Sequence, residues 1–270
     1  MGDRVGAPRT VDLNTPNVAR MYDYYLGGKD NFASDREAAE KALELAPQIR
    51  LAAEHNRAFL GRAVRHLAEA GIRQFLDIGT GLPTQSNVHQ VAQEAAPDAR
   101  VVYVDNDPVV LAHGRAILGG AQHVHIVQAD LRRPEEILDN PEVRERLDFD
   151  RPIAILLAAI VHFLQDADDP ETIVARFREA LPRDGYLVLS HVCGEASPHS
   201  VPGVTKVYEQ SSTPIVAREA DRIGRFFGDL ELVEPGVVNV AQWRPDSPEC
   251  QRIAEKYRRP YFLAGVARKG

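Results

Sequence analysis

Phe75-Leu76-Asp77-Ile78-Gly79-Thr80-Gly81 decides the fold. Four residues of buried-strand character, Phe75 to Ile78, carry an acid at the third place and run into two glycines spaced by one residue. The glycines let the backbone turn sharply and approach a ligand closely. In an open parallel sheet, ligands bind beyond the carboxyl ends of the strands, near the point where the strand order reverses. A strand ending in this turn is therefore a candidate binding edge, although two glycines alone also fit a plain strand-to-helix turn.

Outward from this stretch the chain alternates. Gln85 to Ala95 reads as a helix with Val88, Val91, Ala92 and Ala95 facing inward, and Val101 to Val104 as a second strand. Asp107 caps the next helix with Pro108 at its first position. Val124 to Val127 and Ile153 to Leu157 follow as strands. Asp169 and Pro170 start a helix through Ala180, and Gly185 precedes a fifth strand, Tyr186 to His191. Pro214 to Phe227 reads as an amphipathic helix, and Leu230 to Val233 and Tyr261 to Val266 as the last strands. Strands separated by helices imply a mostly parallel sheet with helices on both faces. The Gly-, Ser- and Pro-bearing segment from Cys193 to Thr213 reads as a long functional loop.

Before the turn the texture differs. Residues 1–14 are polar and aperiodic, a flexible arm. Residues 15–70 read as a helical lid: a first helix carrying Val18, Met21, Tyr22 and Tyr25 and stopped by Gly27-Gly28, a second capped by Ser34, and a third carrying Phe59, Leu60, Val64 and Leu67. Residues 71–270 then form the α/β domain.

Bulk properties narrow the function. The 270 residues carry a net charge of -7, and the mean hydropathy is -0.29. An acidic chain disfavours nucleic acid as a partner. The longest apolar run, Ile153 to Val161, is far shorter than the roughly 20 residues of a membrane span. With no signal-peptide pattern at the N-terminus, the expected location is cytoplasmic. Cys193 and Cys250 match no zinc spacing and no disulfide framework. His123 and His125 flank a strand without further ligands, so no metal is expected.

Three acids at successive strand ends point to the ligand. Asp77 would repel a pyrophosphate but suits an ammonium or sulfonium group. Asp105 ends the second strand, where an acid accepts both hydroxyls of a ribose; Asn106 follows it. Asp130, after the third strand, suits an adenine amino group. The third glycine of the dinucleotide fingerprint is missing, and Pro83 stands in that region.

These residues resemble the motifs of class I methyltransferases: Phe75 to Gly81 their first motif, Val102-Tyr103-Val104-Asp105 the second-strand motif and Ala129-Asp130 the adenine motif. A narrower resemblance rests on Ala19-Arg20-Met21-Tyr22-Asp23-Tyr24-Tyr25-Leu26-Gly27-Gly28-Lys29-Asp30-Asn31-Phe32, with His55-Asn56-Arg57, Val161-His162-Phe163 and Gln242-Trp243-Arg244-Pro245. Together they are similar to an actinobacterial S-adenosyl methyltransferase family that also carries a domain-of-unknown-function label. The resemblance implies a Rossmann-like, seven-stranded sheet with an antiparallel last strand, and S-adenosylmethionine as cofactor.

The expected roles follow. Asp77 and the backbone of Gly79, Thr80 and Gly81 hold the methionine end, Asp105 and Asn106 the ribose, and Asp130 and the Leu131 amide the adenine. Ala158 faces the methionine moiety. Tyr22 supplies an aromatic face for the sulfonium, and Arg57 pairs with the cofactor carboxylate. His162 is the first candidate for a general base and His191 the second. The lid, the Cys193–Thr213 loop and Gln242–Arg244 are expected to line the site of a small-molecule acceptor. Two alternatives share most of these features: a nicotinamide-dependent oxidoreductase and a non-catalytic S-adenosylmethionine-binding protein.

Overall fold

The strand–helix alternation is realised as a single sheet. The structure, a computed structural model, describes residues 12–83, 86–118, 120–196, 199–248, 251–252 and 261–270. Three helices come first: α1 (Val18–Tyr25), α2 (Ala33–Leu45) and α3 (Ile49–Glu69). The alternating part follows as β1 (Gln74–Ile78), α4 (Val88–Ala95), β2 (Arg100–Asp105), α5 (Pro108–Leu118) and β3 (Val124–Gln128). It continues through α6 (Pro134–Leu138), α7 (Pro141–Arg146), β4 (Ala154–Ala158), α8 (Pro170–Ala180) and β5 (Tyr186–Val192). The C-terminal part holds α9 (Val201–Tyr208), α10 (Ala220–Arg225), β6 (Glu231–Leu232), β7 (Val238–Asn239) and β8 (Phe262–Arg268).

The sheet order is β3-β2-β1-β4-β5-β8-β6, with β7 also paired to β8. Strands β1 to β5 are parallel, and β8 runs antiparallel to β5 along its whole length. β1 thus lies between β2 and β4, at the reversal of strand order, and Asp77 to Gly81 leave the sheet at that point. The strands are buried on both faces, which is why they read as nearly continuous apolar runs.

The sheet has eight strands where seven were expected. The edge position beside β8, seventh in the order, is shared by β6 and β7, which pair with β8 at Leu232–Ala267 and Asn239–Leu263. Between them the chain turns at Gly236, whose φ of +85° suits glycine, and Pro235 has no N–H to give the ladder. The apolar run at 230–233 marked only the first half.

Three apolar clusters organise the layers. On one face, Ile137, Val143, Val174, Phe177, Ile223 and Phe226 from α6, α7, α8 and α10 region pack against the sheet. On the other, Phe59, Ala63, Val64 and Leu67 of α3 join Val88, Val91 and Ala92 of α4. A third cluster combines Met21 and Tyr25 of α1, Ala38, Ala39 and Ala42 of α2, and Val204 and Tyr208 of α9. The segment expected as one lid, residues 15–70, therefore splits: α3 lies in the sheet's own core, while α1 and α2 form a roof with α9.

Several local expectations are corrected. Helix α2 is capped at Phe32, whose N–H donates to the Asp35 carboxylate at 2.7 Å; Ser34 instead donates its hydroxyl to the Leu13 carbonyl. The Cys193–Thr213 loop contains helix α9. The helix expected from Pro214 begins only at Ala220, because residues before it are tied as extended backbone. Val216 N–H donates to the His162 carbonyl at 2.8 Å and Arg218 N–H to that of Val192 at 3.2 Å. The start of the expected Gln85–Ala95 helix and Cys250 lie outside the described residues, while Cys193 is buried.

Candidate active site

The carboxyl ends of β1, β2 and β4 open into a cavity of about 690 Å³ beneath the roof. Its wall includes the residues expected to hold the cofactor and the first base candidate: Asp77, Gly79, Thr80, Gly81, Asp105, Asn106, Asp130, Leu131, Ala158, Tyr22, Arg57 and His162. Residues far apart in the chain meet here because parallel strands place all their carboxyl ends on one edge.

Asp77 is buried, and among the described residues its hydrogen-bond donor is the Thr80 hydroxyl at 3.3 Å. Burial pushes its carboxyl up to about 7, against the pull of the Arg57 charge and the Thr80 hydroxyl. Asp105 is pushed to about 6, again by burial, although it accepts the Asp107 and Gly81 N–H groups, each at 2.9 Å. A buried carboxylate held near neutrality gains from any cationic or hydrogen-bond-donating ligand that replaces its lost hydration.

The glycine turn differs from its expected role. Gly79 and Thr80 donate their N–H groups to the Val104 carbonyl, at 2.8 and 3.3 Å, and Gly81 donates to Asp105. All three donors point into the protein's own second strand. Gly79 has φ +73°, and a Cβ there would meet Ile160 at 2.3 Å, whereas the position above Gly81 is open. The turn therefore offers room and a carboxylate, not N–H donors. Helix α4 starts only at Val88, so its N-terminus is not at the turn either. A pyrophosphate needs both; an ammonium or sulfonium needs neither.

Asp130 is not free. Arg132 donates to it through Nε and Nη2 at 3.0 and 2.6 Å, and partial burial is outweighed so that its pKa falls below the usual range. An adenine amino group there would share the carboxylate with Arg132. Arg57 donates to the Ser86 carbonyl at 3.3 Å and to Asn87 Oδ1 at 3.2 Å, while its buried Nε has no partner among the described residues. Ala158 ends β4 opposite Ser190 of β5.

The two histidines separate. His162 is buried in the cavity wall, its Nδ1 has no hydrogen-bond partner among the described residues, and burial with the charges of His191 and Arg218 holds its pKa well below the ordinary value. His191 is corrected as a base: it does not line the cavity. Its Nδ1 lies 2.8 Å from the Val192 carbonyl and its Nε2 accepts from Arg218 at 3.0 Å, which fixes the neutral tautomer, and burial depresses it to about 3. Arg218 in turn donates to the Leu164 carbonyl and Asp166, holding the turn that carries His162.

Gln242–Arg244 is also corrected. Trp243 is fully buried against Phe59, ring centroids 5.5 Å apart, and Arg62 donates to its carbonyl at 2.9 Å. This segment lies outside the cavity wall; the aromatic ring bolts the β7–β8 connection to α3.

Sequence reading missed a buried hydrogen-bond chain. Ala159 N–H donates to Ser190 Oγ at 2.9 Å, Ser190 Oγ to Asn56 Oδ1 at 2.6 Å, Asn56 Nδ2 to the Tyr22 hydroxyl at 3.0 Å, and that hydroxyl to the Ala53 carbonyl at 3.1 Å. It joins β4, β5, α3 and α1. Asn56 stood in a quoted motif, but no local pattern marks Ser190. Asn17 was also missed: it caps α1 through its Oδ1 and donates Nδ2 to Asp107 at 2.7 Å. Asp107, read as a cap alone, is thus a tie between roof and β2. Among the described residues no cluster of three metal-ligating side chains occurs, and no helix is long and apolar enough to cross a membrane.

A profile of a family described as S-adenosyl methyltransferase matches residues 4–270. A candidate methyltransferase from Thermobifida fusca YX is 44% identical, with 96% of each chain covered and a TM-score of 0.88. A DUF574 family protein from Streptomyces avermitilis MA-4680 is 43% identical, covering 96% of this chain and 99% of its own, with a TM-score of 0.90. The mitomycin 7-O-methyltransferase MmcR, at 16% identity and a TM-score of 0.52 over 82% of this chain and 56% of its own, shares the fold. No curated protein matches the chain.

Proposed function

The chain belongs to the S-adenosyl methyltransferase family, and from that premise we propose which residues hold the cofactor and what kind of acceptor receives the methyl group. The protein is an S-adenosylmethionine-dependent methyltransferase with a Rossmann-like fold. One observation carries the site reading: the turn after β1 spends all three N–H groups on β2 and leaves the buried Asp77 carboxylate facing the cavity. That chemistry suits a cationic methionine end and discriminates against the nicotinamide alternative.

In this reading Asp77 receives the ammonium, Arg57 Nε the carboxylate, and Ala158 lies beside the methionine chain. The Tyr22 ring offers its face to the sulfonium. Asp105 and Asn106 take the ribose, and Asp130 and Leu131 the adenine. Bound S-adenosylmethionine supplies an activated methyl group on a sulfonium. The residues orient it, and holding donor and nucleophile in line accounts for up to ~7–11 kcal/mol of barrier reduction. The acceptor is a small molecule seated beneath the roof, beside His162. The imidazole is placed to take the proton that the acceptor releases on methylation. A weak base suffices for a hydroxyl acceptor, because an oxygen that has gained a methyl group is strongly acidic until it loses its proton. Relatives from actinobacteria fit an actinobacterial source.

Calorimetric titration with S-adenosylmethionine and with NAD tests the reading. Tight binding of the first and none of the second is expected. Equal binding of S-adenosylmethionine by wild type and Asp77→Asn would remove its core.

A further inference from the structure

The cavity wall is divided by charge along the order of the strands. Among the described residues, each charged side chain lining it comes from position 132 or earlier. Asp77, Asp105, Asp107, Asp130, Arg57 and Arg132 stand on the α3 and β1–β3 side, with three more in residues 12–23. From Ala158 onward every described lining side chain is uncharged. That half is built by the turn after β4, by α9, by residues 212–217 and by the start of β8. Phe163, Tyr208, Tyr261 and Phe262 give it an aromatic surface.

An anion placed in this half would lose its hydration with no opposite charge among the described residues to meet it. Two of the wall's three described arginines are paired, and the third, Arg57, is assigned above to the cofactor carboxylate. Arg20 pairs with Asp35 at 2.7 Å, Arg132 pairs with Asp130 at 2.6 Å, and Arg57 stands beside Asp77 on the far side.

The hydrogen-bond chain adds polarity. The Ala159 N–H can only donate, and the Ala53 carbonyl can only accept. The 2.6 Å contact between Ser190 and Asn56 is an O–H···O distance, which fixes the direction of every link between those ends. The Tyr22 hydroxyl has therefore spent its proton on Ala53 and one lone pair on Asn56. It has an acceptor site left, and no donor.

Resting on the methyl-transfer reading above, we infer that the methyl acceptor is an uncharged small molecule with an aromatic or comparably apolar body, which offers an O–H or N–H to Tyr22 and carries no carboxylate or phosphate. Its oxygen or nitrogen lone pair forms the new bond to the methyl carbon. The carbon–sulfur bond breaks with its electron pair remaining on sulfur, and the released proton passes to His162.

Four matched probes test this on the protein saturated with S-adenosylhomocysteine, whose binding is measured first by calorimetry: 2-naphthol, 2-naphthylamine, 2-naphthoate and 2-naphthyl phosphate. Ligand-observed NMR should show the first two binding at least about tenfold tighter than the last two. Tyr22→Phe keeps the ring and removes the hydroxyl. It should weaken 2-naphthol about three- to tenfold, with a circular-dichroism spectrum matching wild type as the report of an intact fold. Tighter binding of either anion, an unchanged 2-naphthol affinity in Tyr22→Phe, or no naphthyl binding to a protein that holds S-adenosylhomocysteine would each overturn the inference. A protein that fails to bind S-adenosylhomocysteine would overturn instead the methyl-transfer reading beneath it.

Discussion

Asp77 is costly to the empty protein and useful to the loaded one. Its carboxyl rises from 3.8 unfolded to about 7 when folded, so the native state binds the proton more tightly, and folding stability falls as pH rises through that window. Above it the full penalty remains. Asp77→Asn should leave the cofactor-free protein about as stable at pH 3.5 and more stable by ~2–4 kcal/mol at pH 8. The same change should weaken S-adenosylmethionine by ~10- to 100-fold, the loss of one charged hydrogen bond. Denaturation and calorimetry at both pH values check the pair. His191, depressed to about 3, acts in the opposite sense, adding stability as pH rises toward 6.5, so the comparison is made between variant and wild type. Burial holds His162 well below the ordinary imidazole value, so kcat should show no imidazole titration near pH 6.5, while His162→Ala should lower kcat by ~10²-fold and leave cofactor affinity intact. The acids of the site were legible because each follows a strand. Their engagement was not: that Gly81 donates to Asp105, or Arg132 to Asp130, depends on loop conformation that spacing does not encode.

Helix α1 ends where two glycines meet a buried acid. Gly27 adopts φ +77°, and a Cβ on Gly28 would lie 1.9 Å from Asp23 Oδ1. Asp23 accepts the Asp30 N–H and Asn31 Nδ2 at 3.0 and 2.9 Å, folding the turn back onto the helix. Gly28→Ala should destabilise by ~1–3 kcal/mol through overpacking, seen as a lower thermal midpoint. Arg218 shows how an element is misread. Residues 214–227 have helical periodicity, but the Arg218 side chain must reach the carbonyls of Val161 and Leu164 and the ring of His191, which requires an extended backbone beside β5. Tertiary pairing overrode the period. Arg218→Met should cost ~3 kcal/mol, because those acceptors stay buried without a donor; urea unfolding measures it. The same override placed Trp243 in the core, where a conspicuous motif proved to be packing.

At the scale of the molecule, strand order and the antiparallel last strand followed from alternation and resemblance, because a parallel sheet needs a crossover helix between neighbours. The roof did not. α1, α2 and α9 share an apolar cluster separate from both faces of the sheet, and a contact between segments some 180 residues apart, such as Tyr25 with Tyr208, leaves no local trace. We propose that these three helices move as one cover. Hydrogen exchange should then be faster in α1 and α9 than in β1 and β4, and slow in those helices when S-adenosylmethionine is added.

Asn17 holds this cover to Asp107, two residues beyond the acid proposed to grip the ribose. Whatever settles on Asp105 therefore also steadies the latch. In kinetic language, donor should load first and its spent form leave last, an ordered sequential scheme. S-adenosylhomocysteine should then inhibit competitively against the donor and non-competitively against the acceptor, with the escape of that product setting the pace of turnover.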